Sequence, residues 1–204
     1  MTLTEVGGAR AGAPAFDAPT FDAPAFGAPA VSAAAVSVPA VSVPAIRAPA
    51  IRVLAGTAAD RALVAALVRR CSPATLGSRF FLPVEPRPEE LLRTHLPYLL
   101  AGPPDGLALV ALIDGLPVGL LNLVAGPQCR LELGVLVADG VQRRGIAGSL
   151  LRHALRPGRW PDRTVVRATV QPGNAAARAL IRHHGARLVS GVRGEYVFEL
   201  APPR

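Results

Sequence analysis

A proline returns at nearly every fifth position through most of the first fifty residues, and no regular element accommodates that spacing. Broken into fives, the stretch reads FDAPT, FDAPA, FGAPA, VSAAA, VSVPA, VSVPA, IRAPA. An apolar residue leads each unit, at Phe16, Phe21, Phe26, Val31, Val36, Val41 and Ile46, and Ile51 continues the series. A period of five matches neither the helical turn nor the two-residue alternation of a strand. Each proline also removes a backbone donor and holds the preceding residue extended. Residues 1–49 are therefore expected to form a disordered, polyproline-like tether, which leaves 50–204 for one folded domain. Residues 23–46 carry no charge, yet prolines at 24, 29, 39 and 44 argue against a regular membrane-spanning helix. The extreme N-terminus offers Glu5 and Arg10 but no compact basic region, so neither a secretory leader nor a membrane partner is expected.

The formal charge is +8, and all 22 basic residues are arginine. Two origins stay open: coding that disfavours lysine, and an enzyme of lysine chemistry that spares itself. The physical consequence is the same, because a guanidinium presents a planar fork suited to phosphate. A basic balance points to acidic partners. No basic run and no interleaving of aromatic with basic residues occurs, so nucleic acid is not an expected partner. Cys71 and Cys129 lie far apart without a CxxC spacing, which suggests structural free thiols in a reducing cytoplasm rather than a zinc site or a disulfide.

Beyond residue 50 the pattern becomes that of a folded α/β chain. Residues 49–55 read as a short strand and 57–71 as a helix capped by Thr57. A second helical stretch spans 88–100, weakened by Pro97. Strands follow at 106–114 and 116–125, joined by an Asp114-Gly115 turn that signals a hairpin. Another strand covers 130–139, a helix runs from near Gly145 to about 156, and a strand covers 163–170. A helix over 173–185, with Asn174 as a possible cap, precedes two final strands, ARLVS and EYVFEL. The order implies a mixed sheet with helices packed on it.

The chemistry concentrates in DGVQRRGIAGSLL, residues 139–151. A strand feeds a turn, and the turn feeds a helix. The first turn of a helix leaves amide N–H groups without partners and carries the positive end of the dipole, so anions settle there. Gly145, Ala147 and Gly148 keep side chains out of the way, while Arg143 and Arg144 add charge. Neither a Walker loop nor a GxGxxG spacing is present. From these residues alone the stretch is an anion loop or a solvated turn leading into an amphipathic helix.

QRRGIA, residues 142–147, resembles the [QR]xxGx[GA] motif of the GCN5-related N-acetyltransferases, and it follows a strand, LGVLVAD, as it does in that family. NAAARALIRHHGARL resembles the family's NxxAxxLYxxxGF helix, with Asn174, Ala177, Leu180 and Gly185 in place. The stretch 69–83, RRCSPATLGSRFFLP, is similar to a helix-to-loop segment in a subset of bacterial members, protein lysine acetyltransferases among them. The resemblance spans roughly 50–200 and implies a mixed central sheet flanked by helices, with acetyl-CoA as cosubstrate and no metal. It implies that the backbone of Val135, Leu136 and Val137 pairs with the pantetheine arm. It also implies that amides of Arg143, Arg144, Gly145, Ile146, Ala147 and Gly148 hold the pyrophosphate, with Asn174 near the pantetheine or the thioester sulfur. The resemblance further implies transfer to a primary amine, expected on a protein lysine, with a small-molecule amine as the rival acceptor and a non-catalytic acyl-CoA sensor as the rival function.

Acyl transfer to an amine requires loss of a proton from an ammonium with a pKa of about 10.4 for lysine. The resemblance places a general base at Glu132, the one acid inside its strand ahead of the terminal Asp139, where burial between apolar neighbours raises its pKa. The alternative is a glutamate on a solvated face or paired with arginine. The tyrosine that many members carry in the second motif is replaced by Ile181, which puts a tyrosine-donated proton in doubt. Tyr196 is either a substitute acid or a packing residue, and Arg79, Phe80 and Phe81 either line the acceptor groove or anchor a loop. His95 and His153 read as helix-surface residues, and Trp160 as a plug at one end of the core.

Overall fold

The computed structural model describes residues 48–82, 86–102, 104–162, 164–192 and 194–203. The tether expected over 1–49 thus lies, but for its last two residues, outside the described residues. The remainder builds a seven-stranded sheet in the order β1-β2-β3-β4-β5-β7-β6. β1 is Ala50–Val53, β2 Gly106–Ile113, β3 Leu116–Ala125 and β4 Arg130–Val137. β5 is Val165–Val170, β6 Arg187–Val192 and β7 Glu195–Leu200. All pairings are antiparallel except β4 with β5. Asp114 and Gly115 both take positive φ, 48° and 78°, as a two-residue hairpin turn of the primed type requires.

Strand alternation sends odd and even residues to opposite faces. Leu107, Leu109, Leu121, Leu123 and Leu131 turn toward one face. There α4, Ile146–Ala154, buries Ile146, Leu150, Leu151 and Ala154, and α5, Ala175–His183, buries Ile181. Gly119 lets α4 sit flush on β3: a Cβ there would stand 2.8 Å from Ile146 Cγ2 and 3.1 Å from Leu150 Cδ1. Ala108, Val110, Leu120 and Leu136 turn the other way, to be covered by α1, Ala58–Arg69, and α3, Pro88–Leu99. Thr57 caps α1 through a reciprocal box with Asp60. Pro97 stands within α3, two residues before its end, and has no N–H to donate to the Arg93 carbonyl.

A helix absent from the sequence-based reading, α2, runs from Pro73 to Phe80 against β4. Its signals are local. Ser72 supplies the cap, accepting from Thr75 N–H at 3.2 Å, and Pro73 occupies the first helical position. Only eight residues long, it lacked the repeated apolar stripe by which the longer helices are legible. Cys71 is buried, its thiol donating to Leu67 O at 3.4 Å. Cys129, expected like Cys71 to be a structural free thiol, is free but exposed in the turn between β3 and β4. Among the described residues no helix is long and apolar enough to cross a membrane.

Candidate active site

The parallel β4–β5 pairing is short. Arg130, Leu131 and Glu132 face Val165, Val166 and Arg167, and the ladder ends there. β4 continues to Val137 and β5 to Val170, so the two strands separate and a groove of about 1300 Å³ opens between them. Among the described residues, no strand pairs with the β5-facing edge of β4 beyond Glu132, and Val135, Leu136 and Val137 all line the groove. An unpaired strand edge is a template for an extended chain with amide groups of its own. The Val137 carbonyl already accepts from Gln142 Nε2 at 3.1 Å, so that side chain ties the strand end to the loop behind it.

One turn of 3₁₀ helix, Asp139–Val141, carries the chain from β4 into α4. Gly145 caps α4 at φ 77°, a left-handed conformation open to glycine. Among the described residues, no side chain caps this helix. The first bond of the helix runs from Ser149 N–H to Gly145 O at 2.9 Å. Among the described residues, the amides from Arg143 to Gly148 therefore have no protein acceptor. Arg143, itself at φ 61°, and Arg144 are both exposed beside them. The structure brings together at one mouth Arg143, Gly145, Ile146, Ala147 and Gly148, all of which line the groove. Arg144 faces a neighbouring depression with Ser149 and Arg152. Across the groove, Asn174 caps α5, its Oδ1 accepting from Ala177 N–H at 3.0 Å, and also lines the cavity. Capping and cavity lining coexist in one side chain.

Glu132 lies on the groove wall, opposite Val124 in β3 and Arg167 in β5. It is exposed rather than buried between apolar neighbours, because alternation turns Leu131 and Leu133 to the other face. Its pKa is nonetheless raised. Desolvation by the groove walls is the main cause, opposed by the charges of Arg167 and Arg130 and reinforced by Glu199. Arg167 in turn approaches Glu199 at 4.0 Å.

Ile181 is 3% exposed, packed in the core beneath the sheet. Tyr196 shares that face with Phe198, packs on the same core, and carries Arg178 over its ring at 5.4 Å. It is a packing residue. Trp160 covers the end of α4 and donates from Nε1 to Ala154 O at 2.9 Å. Arg79, Phe80 and Phe81 line the groove. His95, expected on a helix surface, instead lines the groove with its ring against Phe80 at 4.8 Å. Sequence reasoning also missed Asn122, buried under the groove with Nδ2 donating to Leu99 O at 2.6 Å. A lone asparagine within an apolar strand was its signal.

Solved structures share this fold at low identity. The GNAT domain of S. lividans PAT superposes with a TM-score of 0.62 and 20% identity, covering 75% of this chain and 90% of that one. PaiA N-acetyltransferase of Thermoplasma acidophilum, in complex with coenzyme A, gives a TM-score of 0.61 at 16% identity, covering 76% and 99%. YncA of Salmonella typhimurium, a putative acetyltransferase with its cofactor acetyl-CoA, gives 0.58 at 20%, covering 77% and 95%. No curated relative matches the chain. The acetyltransferase (GNAT) family matches residues 65–186, more than half of the sequence, and the chain belongs to that family.

Proposed function

We propose that this chain is an acetyl-CoA-dependent N-acetyltransferase that acylates a primary amine, with a protein lysine as the acceptor. The observation that carries the reading is the uncapped start of α4 at the mouth of the split between β4 and β5. Bare amides and the positive dipole end suit a pyrophosphate, with Arg143 and Arg144 beside them. The free edge of β4 at Val135–Val137 suits the amide-bearing pantetheine arm, and Asn174 stands across the groove from it. The bound thioester would supply an activated acetyl group. The coenzyme A species in two of the similar structures support the same reading, and the 69–83 stretch supports the lysine acceptor.

On this reading Glu132 takes the amine proton, directly or through water. At pH 8 only about one lysine side chain in 250 is neutral, so a base with a raised pKa at the groove wall has a defined task. The cysteine spacing fits a reducing cytoplasmic setting, with residues 1–49 as a tether. One observation favours a second reading, an acyl-CoA-binding sensor: Ile181 puts a hydrocarbon where many relatives carry a phenol. Thermal shift with acetyl-CoA, run beside thiol release over a panel of amines, separates the two. Thiol release with an amine supports the transferase; a shift without release from any amine supports the sensor.

A further inference from the structure

Among the described residues, the arginine near the end of α2 has no counter-charge. Arg79 lines the groove on the side of Phe80, His95 and Asn122, and its Nε is closed off from solvent with no hydrogen-bond partner. Arg52 pairs with Asp60, Arg69 with Glu89 and Arg167 with Glu199; no carboxylate among the described residues lies within 4.0 Å of Arg79. Its guanidinium stands over the Phe80 ring, 5.0 Å from the centroid. Desolvation pushes its pKa down to about 10. A desolvated cation without an anion is costly unless something brings the anion to it.

The backbone beneath is shaped for this guanidinium. Arg79 lies over Gly134, where a Cβ would collide with Nη2, Cζ and Nε. Gly134 pairs in register with Asn122. Facing positions on neighbouring strands stand about 5 Å apart, so the guanidinium lies beside the Asn122 side chain. Asn122 Oδ1 is also buried and unpartnered. A forked donor and an orphan acceptor thus share one wall. Glu132 stands two residues from Gly134 on the same face, about 7 Å along the strand. The site therefore offers a place for an anion, a place for an N–H and, one step along, a carboxylate for a reacting amine.

We propose that Arg79 receives a carboxylate carried by the acceptor, over Gly134 and beside Asn122, while the acceptor's amine reaches toward Glu132. This rests on the acetyltransferase reading and names the acceptor's chemistry. A guanidinium and a carboxylate form paired, charge-assisted hydrogen bonds. The carboxylate has two sources: a free amino acid, or an acidic residue beside a lysine in a peptide.

The test compares matched amines: free lysine against cadaverine, and a lysine peptide with a neighbouring aspartate against one with alanine. KM is read from thiol release, and Kd by calorimetry on protein saturated with coenzyme A. In one pair or the other, the carboxylate should improve KM and Kd by roughly ten- to a hundred-fold. Which pair responds identifies the source. That ratio should collapse toward one in Arg79→Met, return in part in Arg79→Lys, and shrink in Gly134→Ala, which displaces the guanidinium. A ratio near one in both wild-type pairs, or a ratio that survives Arg79→Met, overturns the proposal. If no amine releases thiol, the transferase reading fails, and the Kd ratio still decides the role of Arg79.

Discussion

Asp139 accepts hydrogen bonds from both the backbone N–H and the hydroxyl of Ser72, at 2.7 and 2.8 Å, across 67 residues of sequence. A third, from the Thr75 hydroxyl, is 2.8 Å long. Ser72 caps α2, and Asp139 opens the turn that leads to α4. Gln142 completes the clasp, donating to Thr75 Oγ1 and to the Val137 carbonyl. The helix that carries Arg79 and the loop that presents the α4 amides are thereby held in one frame.

Replacing Asp139 with alanine should loosen that frame. The expected result is a rise of about ten-fold in KM for acetyl-CoA, with a smaller change in kcat, measured by initial rates. The Asp139 pKa is lowered: desolvation would raise it, but the Ser72 and Thr75 bonds outweigh it. The clasp is thus present above the ordinary value of 3.8 and is lost as pH falls through the lower folded-state value.

Ala147 lines the groove in the first turn of α4. A glutamate there complements the helix dipole, so Ala147→Glu should keep or slightly raise the melting temperature. The same carboxylate repels a pyrophosphate and competes for its amides. Affinity for acetyl-CoA should fall at least a hundred-fold in calorimetry while the fold persists by circular dichroism.

Glu132→Gln removes the proposed base and should lower kcat by about two orders of magnitude at pH 7. The pH profile gives the sharper reading. Because the Glu132 pKa is raised above 4.5, the acid limb of kcat/KM should lie above the range of an ordinary glutamate. Arg167 pulls that pKa down. Arg167→Leu should therefore move the limb to still higher pH.

Asp60 is fully buried and accepts from the N–H groups of Ala55 and Thr57, at 2.9 and 3.1 Å, and from Arg52. Desolvation works to raise its pKa, but these bonds win and hold it below 3.8. Asp60→Ala strands two donors at the junction of β1 and α1, and should cost about 1–3 kcal/mol in urea unfolding. The wild-type advantage should be complete at neutral pH and fade only as pH falls through the depressed value.

What was legible in the sequence is what depends on neighbours in sequence. The Asp114-Gly115 turn, the Thr57 and Asn174 caps and the strand-loop-helix at 130–151 are local devices, and each stands where its residues indicated. The groove is another matter. It exists because the β4–β5 ladder stops at Glu132, and the register between strands parted by a helix is not written in either strand. Arg79 was ambiguous for the same reason: only the fold brings it over Gly134, fifty-five positions later. The exposure of Glu132 followed from strand alternation, which the apolar neighbours Leu131 and Leu133 had masked.

Titrating acetyl-CoA into the protein in a calorimeter, with Ala147→Glu alongside, tests the central claim most directly. The account predicts one binding site per chain for the wild type, competed by coenzyme A and weakened by salt, and little or no heat for the variant. Equal heats from wild type and variant, or no heat from the wild type with any coenzyme A species, would contradict it.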